Sequence, residues 1–308
     1  MSIKTRLHLC LKWIFFLVSL VHVASLSAEP LMEQASYSCA SQQLHICKEE
    51  TGDVALVFIH GWGGRALFWG SQLDYFSKDY SVYAMDLPGH GESEMFKANP
   101  SISGMAGGLE YLVNQIGVDH IVMIGHDIGA YIALSLAVSE AGREKIKAIF
   151  AVESMVDTEV SMPRKQYKRV LKSLKDNFEG TARQMTLDLF SAETDHKIIN
   201  WVADSVAETD QELSLGLLND FMNMDMSSEL AAFQGDLVIL NTEYNPPRVD
   251  RLKSINPKVM SESVGWSEHF IFLENAVLFN EVLDQLIKTH LESTGDLRKY
   301  SQQLGRDC

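Results

Sequence analysis

The chain has 308 residues, of which 46% are hydrophobic and 22% charged, as is usual for a globular protein. This length suits one large α/β domain with an insertion about as well as two small domains. The formal net charge of -15, from 26 basic and 41 acidic residues, argues against nucleic acid as a partner, because phosphate binding requires a basic face.

The N-terminus has the pattern of a secretory signal. Three basic residues accompany an apolar run, WIFFLVSLVHVA, at Trp13–Ala24, and small residues near Ala28 offer a cleavage site. The run is shorter than the roughly 20 residues that a membrane-spanning helix requires. We therefore expect residues 1–28 to be removed, which predicts a secreted or periplasmic protein without stable membrane insertion. An uncleaved membrane anchor is the alternative.

The four cysteines limit the disulfides and metal sites to expect. Cys10 belongs to the predicted signal, and Cys308 is the last residue. Cys39 and Cys47 could be joined by a disulfide within a β-hairpin in an oxidising compartment, although their spacing does not place them directly opposite across a two-residue turn. We expect neither a metal nor a cofactor, because no zinc-ligand spacing and no glycine-rich phosphate loop occurs.

Strand-like and helix-like segments alternate along most of the chain. Five apolar runs predict strands that are buried on both faces: Val54–His60, Tyr80–Asp86, His120–His126, Ile146–Glu153 and Asp236–Asn241. Helical patterns separate most of them, for example at Met105–Gly117 and Gly129–Gly142. This alternation predicts right-handed βαβ crossovers and a mostly parallel, doubly wound α/β sheet.

Residues 158–233 depart from this alternation, because they contain several amphipathic helical stretches and no strand signal. An all-helical insertion predicts a cap over the edge formed by the carboxyl ends of the strands, where ligands bind in such folds. The expected organisation is a core at 29–157 and 234–292, a cap at 158–233 and a polar tail at 293–308.

The stretch MIGHDIGAY, Met123–Tyr131, places Asp127 between a predicted strand and a predicted helix. Gly125 and Gly129 flank it where a sharp turn leaves no room for side chains. This is the pattern of a nucleophile elbow, which exposes the central side chain above the sheet. The helix that begins at Ile128 directs its N–H groups toward the same point.

With the elbow and three further motifs, the chain resembles the α/β-hydrolase fold family from about Leu44 to Leu291. FIHGWGG (Phe58–Gly64) is similar to the oxyanion loop of that family, and DLPGHGES (Asp86–Ser93) to its loop after the next strand. SEHFIFLENAVLFNEVL (Ser267–Leu283) is similar to the loop that carries the catalytic histidine. The resemblance implies an α/β-hydrolase fold with a small-molecule substrate; the oligomeric state is not indicated.

The resemblance also implies roles for individual residues. The backbone N–H groups of Trp62 and Ile128 would form an oxyanion hole, and His269 would be the base. Glu243, which follows the last predicted strand by two residues, is the favoured acid to support the histidine. Glu153, at the end of the preceding strand, is the alternative acid.

An aspartate at the elbow favours chemistry at saturated carbon. Its reference pKa is about 3.9, so it is already ionised near neutral pH, but its attack on an ester carbonyl would give a high-energy anhydride. Attack on an epoxide or an alkyl halide gives an ordinary ester, which water activated by a histidine can hydrolyse. The elbow therefore resembles those of epoxide hydrolases and haloalkane dehalogenases and predicts a hydrolase that works through an Asp127 ester.

Other positions depart from those two families. Ile128 follows the aspartate where both usually have tryptophan, and the cap offers only Tyr167 where epoxide hydrolases place two tyrosines. Trp62 and Trp201 could donate to a halide, although an apolar wall is the more ordinary role of an indole. Two alternatives stay open: a catalytically degenerate relative that only binds a ligand, and an atypical esterase or lyase.

Overall fold

The computed structural model describes residues 33–39, 42–95, 100–159, 162–265 and 267–295, with side-chain detail from residue 44 onward. The predicted signal and its cleavage site lie outside these residues. So does most of the predicted tail, including Cys308.

Eight strands of the described chain form one sheet. In chain order they are β1 Glu33–Cys39, β2 Gln42–Glu49, β3 Val54–Ile59, β4 Ser81–Met85, β5 His120–His126, β6 Ile146–Val152, β7 Asp236–Asn241 and β8 Val259–Ser263. Their order across the sheet is β1-β2-β4-β3-β5-β6-β7-β8, and β2 runs antiparallel to the other seven strands. The mostly parallel, doubly wound sheet predicted from the sequence is confirmed.

Eleven α-helices accompany the sheet in the described residues. They are α1 Gly70–Phe76, α2 Ile102–Gln115, α3 Ile128–Ala137, α4 Arg164–Asp176, α5 Phe178–Leu187, α6 His196–Ala207, α7 Gln211–Phe221, α8 Ser227–Ala232, α9 Val249–Ile255, α10 Ile271–Glu274 and α11 Ala276–Thr294. None of these described helices is long and apolar enough to cross a membrane.

Each face of the sheet has its own hydrophobic core, and this explains the continuous apolar runs of the strands. In β3, Val57 belongs to the core that includes Leu109 of α2. The next residue, Phe58, belongs to the core on the other face with Leu73 of α1 and Phe279 of α11. Successive side chains of a strand point to opposite faces, so a strand covered by helices on both sides must be apolar at every position.

Helices α4–α7, here called the cap, lie between β6 and β7, and α8 follows them and packs against α3 and α9. The two ends of this segment meet, because Glu159 and Asp225 form an isolated antiparallel bridge and the backbone N–H of Met226 donates to the carbonyl oxygen of Thr158 at 3.0 Å. The cap therefore leaves and re-enters the core at one place, beside the carboxyl ends of β6 and β7.

The disulfide considered from the sequence is not formed. Cys47 is a buried free thiol, and the register of the β1–β2 hairpin pairs it with Gln34 rather than with Cys39. Cys39 lies five residues further along β1, about 17 Å at strand spacing, which is too far for a disulfide. Burial raises the pKa of the Cys47 thiol to about 11, so it remains protonated and unreactive near neutral pH.

Candidate active site

Asp127 occupies the turn between β5 and α3, with φ of 50° and ψ of -123°, which residues other than glycine rarely adopt. The two flanking positions must be glycine, because a Cβ at either one would overlap backbone atoms. A Cβ on Gly125 would lie 2.5 Å from the backbone nitrogen of Ala130, and one on Gly129 would lie 2.6 Å from the carbonyl oxygen of Ile59. A strained turn of this kind costs about 1–3 kcal/mol and is characteristic of functional sites.

Exchange of Gly129 for alanine is expected to destabilise the fold by about 3 kcal/mol, because the added methyl group would overlap backbone atoms of β3. Gly107→Ala is the matched control. Gly107 is exposed in α2 with nothing within 4 Å of an added Cβ, so this exchange should stabilise the protein by up to about 1 kcal/mol. Urea unfolding measures both variants, and equal stabilities would contradict the close approach of the elbow to β3.

The loop after β3 lies directly against Asp127. The backbone N–H of Trp62 donates to Oδ2 of Asp127 at 3.1 Å, and a Cβ on Gly61 would come within 2.8 Å of the Asp127 Cβ. Ile128 is the first residue of α3, so its N–H has no acceptor within the helix. Of the two predicted oxyanion donors, the N–H of Trp62 contacts the Asp127 carboxylate. The other, the N–H of Ile128, belongs to the residue that directly follows Asp127 in the chain.

His269 lies in the loop between β8 and α10. Its backbone N–H donates to the carbonyl oxygen of Leu189 at 3.2 Å, and its own carbonyl oxygen accepts from Nε2 of His126 at 3.0 Å. Burial lowers the pKa of His269, while the negative charges of Asp127 and Glu274 raise it by less. The imidazole is therefore mostly neutral near pH 7, which is the form that a general base requires.

Asp127 and His269 line the same cavity of about 310 Å³, at the edge where the parallel strands end. Both also border a smaller apolar cavity of about 60 Å³ beneath α5. No hydrogen bond joins the side chains of Asp127 and His269, both of which the structure describes. Another depression, of about 530 Å³, lies at the opposite edge, where β6 and β7 begin, and contains neither residue.

Glu153, the alternative acid of the sequence prediction, faces the larger cavity. It follows β6 directly and has a φ of 46°. Its Oε1 accepts from the backbone N–H of Thr242, and its Oε2 accepts from Nδ2 of Asn245 at 3.4 Å. Burial raises the pKa of Glu153. Its described hydrogen bonds do not include His269, so the structure brings it to the cavity without joining it to the histidine.

Glu243, the acid favoured from the sequence, does not lie in the cavity. Its side chain is exposed and makes no hydrogen bond or ion pair with the described residues. The preceding residue, Thr242, is buried, but Glu243 lies in the turn that the hydrogen bond from the Asn245 N–H to the Thr242 carbonyl oxygen closes at 3.2 Å, and its side chain is on the solvent side of that turn. Of the two glutamates, the structure therefore places Glu153 at the cavity and Glu243 outside it.

A third carboxylate, that of Glu274 in α10, joins the cap to the histidine loop. On the cap side it accepts from the backbone N–H of Ser191 and the hydroxyl of Thr194, both at 2.7 Å. On the loop side it accepts from the backbone N–H of Glu268 at 3.0 Å and from the hydroxyl of Ser267. No sequence motif indicated this role, because two of its four partners lie 83 and 80 residues earlier in the chain.

Replacement of Glu274 by alanine is expected to lower kcat by about 100-fold, since the His269 loop loses its attachment to the cap. The loss of the negative charge should also lower the pKa of His269 further, moving the acid limb of the pH–rate profile to lower pH. Glu281→Ala, exposed on α11, is the control. An unchanged acid limb together with a rate within about twofold of the native one would contradict this role.

The side chains considered as donors to a leaving group are engaged elsewhere. The indole N–H of Trp62 donates to the carbonyl oxygen of Ser214 in α7 at 2.9 Å. Trp201 is 39% exposed on α6 and lines neither cavity at the elbow. The hydroxyl of Tyr167 donates to Asn219 at 3.1 Å. The halide cradle and the cap tyrosine considered from the sequence are therefore not formed.

Comparison with known proteins supports the fold. Residues 54–198 match the profile of a family described as alpha/beta hydrolase fold. The dihydrolipoyllysine-residue acetyltransferase component of the acetoin cleaving system of Cupriavidus necator is 27% identical over 198 residues, 61% of this chain and 51% of that protein. The pimeloyl-(acyl-carrier protein) methyl ester esterase of Yersinia enterocolitica is 33% identical over 110 residues, 36% of this chain and 39% of that protein. The chain spans about half or less of these relatives.

A solved structure gives the same result over a longer stretch. The crystal structure of a bromoperoxidase from Bacillus anthracis superimposes with a TM-score of 0.75 at 16% sequence identity, covering 83% of this chain and 100% of that one. The strand order, the elbow at Asp127 and this likeness agree. The chain has the α/β-hydrolase fold predicted from its sequence.

Proposed function

We propose that this protein is a hydrolase that attacks a saturated carbon of its substrate and forms a transient ester on Asp127. The observation that carries the proposal is the hydrogen bond from the Trp62 N–H to Oδ2 of Asp127. It fixes one carboxylate oxygen at the oxyanion position, while Oδ1 has no hydrogen-bond partner among the described residues. Asp127 and His269 line the same cavity.

In the first step, Oδ1 of Asp127 attacks the carbon, and the bond from that carbon to the leaving atom breaks with its electron pair going to the leaving atom. The product is an ester whose carbonyl oxygen is Oδ2. The Trp62 N–H already donates to that oxygen, so the group that will carry negative charge in the second step is bound before the reaction begins.

In the second step, His269 takes a proton from water, and the hydroxide adds to Cγ of Asp127. The charge that forms on Oδ2 is stabilised by the N–H groups of Trp62 and Ile128. The bond from Cγ to Oδ1 then breaks, the alcohol leaves with the proton from His269, and Asp127 retains one oxygen from water. Because esterified Asp127 is uncharged, Glu274 is the nearby anion that stabilises the imidazolium at this stage.

Glu153 favours an epoxide over an alkyl halide as the substrate. A halide requires N–H donors, and the Trp62 indole is engaged by the cap. An epoxide requires a proton for its opening oxygen, and Glu153 faces the cavity with a pKa that burial raises. Its proton passes to the opening oxygen in the first step, and the proton released when Asp127 is regenerated restores it.

The two steps are expected to depend on pH in opposite directions. Ester formation requires protonated Glu153, so it should slow as the pH rises through the raised pKa of that carboxyl. Ester hydrolysis requires neutral His269, so it should slow as the pH falls through the lowered pKa of that imidazole. Single-turnover quench experiments separate the two rates. Glu153→Gln should remove the alkaline limb of the first step alone, and identical profiles for both steps would contradict the assignment.

A second candidate is hydrolysis of an ester by water that Asp127 and His269 activate directly, without a covalent intermediate. It is favoured by the engaged Trp62 and Tyr167 donors and by the likeness to an enzyme named as a methyl ester esterase. In this mechanism the oxyanion donors would stabilise the substrate's own tetrahedral intermediate.

A panel of epoxides, alkyl halides and esters tests the choice of substrate. We expect the native protein to hydrolyse epoxides with a small apolar substituent, which fits the 60 Å³ cavity, and to be inactive on esters. Turnover of esters alone would favour the second candidate. Binding without turnover of any class would favour the degenerate relative.

A further inference from the structure

The cap carries a concentrated positive charge in an otherwise acidic protein. Helix α4, with the sequence RKQYKRVLKSLKD, contains six basic residues and one acidic residue in thirteen positions. The whole chain has a formal net charge of -15. A cluster of this size on one helix is a feature that the proposed chemistry at Asp127 does not use.

The basic residues occupy one side of the helix. At 100° per residue they fall within an arc of about 140°. They are Arg164, Lys165, Lys168, Arg169, Lys172 and Lys175, and all six are exposed. The opposite side carries Leu174, which is fully buried, and Val170, which packs against the same core. The apolar side therefore fixes the helix to the cap, and the basic face projects to solvent.

Ion pairs leave most of this charge uncompensated. Lys172 pairs with Asp176 within the helix. The other five basic side chains of α4 have no acidic partner among the residues that the structure describes. The face thus presents at least four adjacent free cations, Arg164, Lys165, Lys168 and Arg169, on a rigid support.

We propose that the basic face of α4 is a docking surface for a bilayer that contains anionic phospholipid. Clusters of four to eight basic residues on an amphipathic helix are typical of such surfaces, and each cation near the bilayer strengthens binding about fivefold. The apolar side of α4 is buried in the cap, so the contact is electrostatic adsorption without insertion. The N-terminal sequence, which predicts delivery to or across a membrane, places the chain beside such a surface.

Docking through α4 would hold the smaller cavity near the lipid. Helix α4 packs against α5, and α5 contributes Met185 and Thr186 to the lining of that cavity. Docking through α4 is independent of the chemistry at Asp127, since the basic face contacts the bilayer whatever the substrate.

Vesicle flotation of the full chain tests the docking surface. Vesicles of phosphatidylcholine alone are compared with an equimolar mixture of phosphatidylcholine and phosphatidylglycerol. Each vesicle type is tested with the native chain and with variants of α4, so that the contribution of the basic and apolar N-terminal segment is common to all chains. We expect selective binding to the anionic vesicles at low salt, lost at about 0.5 M salt because exposed charges are then screened. Lys165→Gln/Lys168→Gln/Arg169→Gln should weaken it on the order of 100-fold.

The matched control removes three exposed lysines elsewhere: Lys78→Gln/Lys197→Gln/Lys253→Gln. It changes the net charge equally and should bind anionic vesicles like the native chain. Equal losses in both triple variants, or no preference for phosphatidylglycerol, would overturn the proposal. A dimer that dissociates only in the α4 variant, without vesicle preference, would identify a second copy of the chain as the partner and would also overturn it.

Discussion

Exchange of Asp127 for asparagine is expected to lower kcat by at least about 10⁴-fold while leaving the fold intact, because the amide is a poor nucleophile. The asparagine side chain has nearly the same shape, and its carbonyl oxygen can accept the Trp62 N–H as Oδ2 does. Binding should persist, since the residues that line the cavity are unchanged. Kinetics on the substrate identified by the panel, with circular dichroism as a check of folding, measures this effect.

Asp119→Asn is the control for the Asp127 variant, because Asp119 is exposed and lines neither cavity at the elbow. It should retain native kinetics. Activity of Asp127→Asn within about tenfold of the native enzyme would exclude every mechanism in which this carboxylate attacks the substrate or water. The oxyanion loop and His269 would then have to act without it.

Exchange of His269 for glutamine is expected to trap the reaction after its first step. Asp127 forms the ester without help from the histidine, but the water that hydrolyses the ester needs a base, so turnover should fall by about 10³–10⁴-fold. One substrate should remain bound covalently per chain. Mass spectrometry of the intact protein would show the added mass, and fragmentation would assign it to the segment that contains Asp127.

The paired control is the double variant Asp127→Asn/His269→Gln, which should gain no mass under the same conditions. A His269 variant that loses turnover without accumulating an adduct would indicate that the histidine acts before any covalent bond forms. That outcome favours direct activation of water on an ester.

The fold was predictable because its core strands are covered on both faces and therefore carry unbroken apolar runs. Strand β8 was missed for the opposite reason. It lies at the edge of the sheet, and of its five residues only Val259 is buried, so neither a run nor a regular alternation is present. The helices between β6 and β7 were predictable from the helical periodicity of residues 158–233, although no pattern indicated the bridge between Glu159 and Asp225.

The candidate site was predictable where a motif fixes the local backbone. Asp127 and Trp62 stand in tight glycine turns whose geometry depends on neighbours in the sequence, and the structure brings them together. The acid that would support His269 was harder to predict, because Glu153 and Glu243 both follow a strand in the sequence. They differ only in the direction of their side chains, which the structure is needed to show. Glu274 was beyond sequence reasoning, since half of its hydrogen bonds are with Ser191 and Thr194, which lie 83 and 80 residues away along the chain.

Isotope transfer from water measures the central proposal most directly. One turnover of enzyme in excess over substrate, in water enriched with heavy oxygen, should place label in the carboxylate of Asp127, because the hydroxide adds to its Cγ. The alcohol formed in that first turnover should carry the unlabelled oxygen of the aspartate. Label in the product and none in Asp127 would show that water attacks the substrate itself and would contradict the ester intermediate.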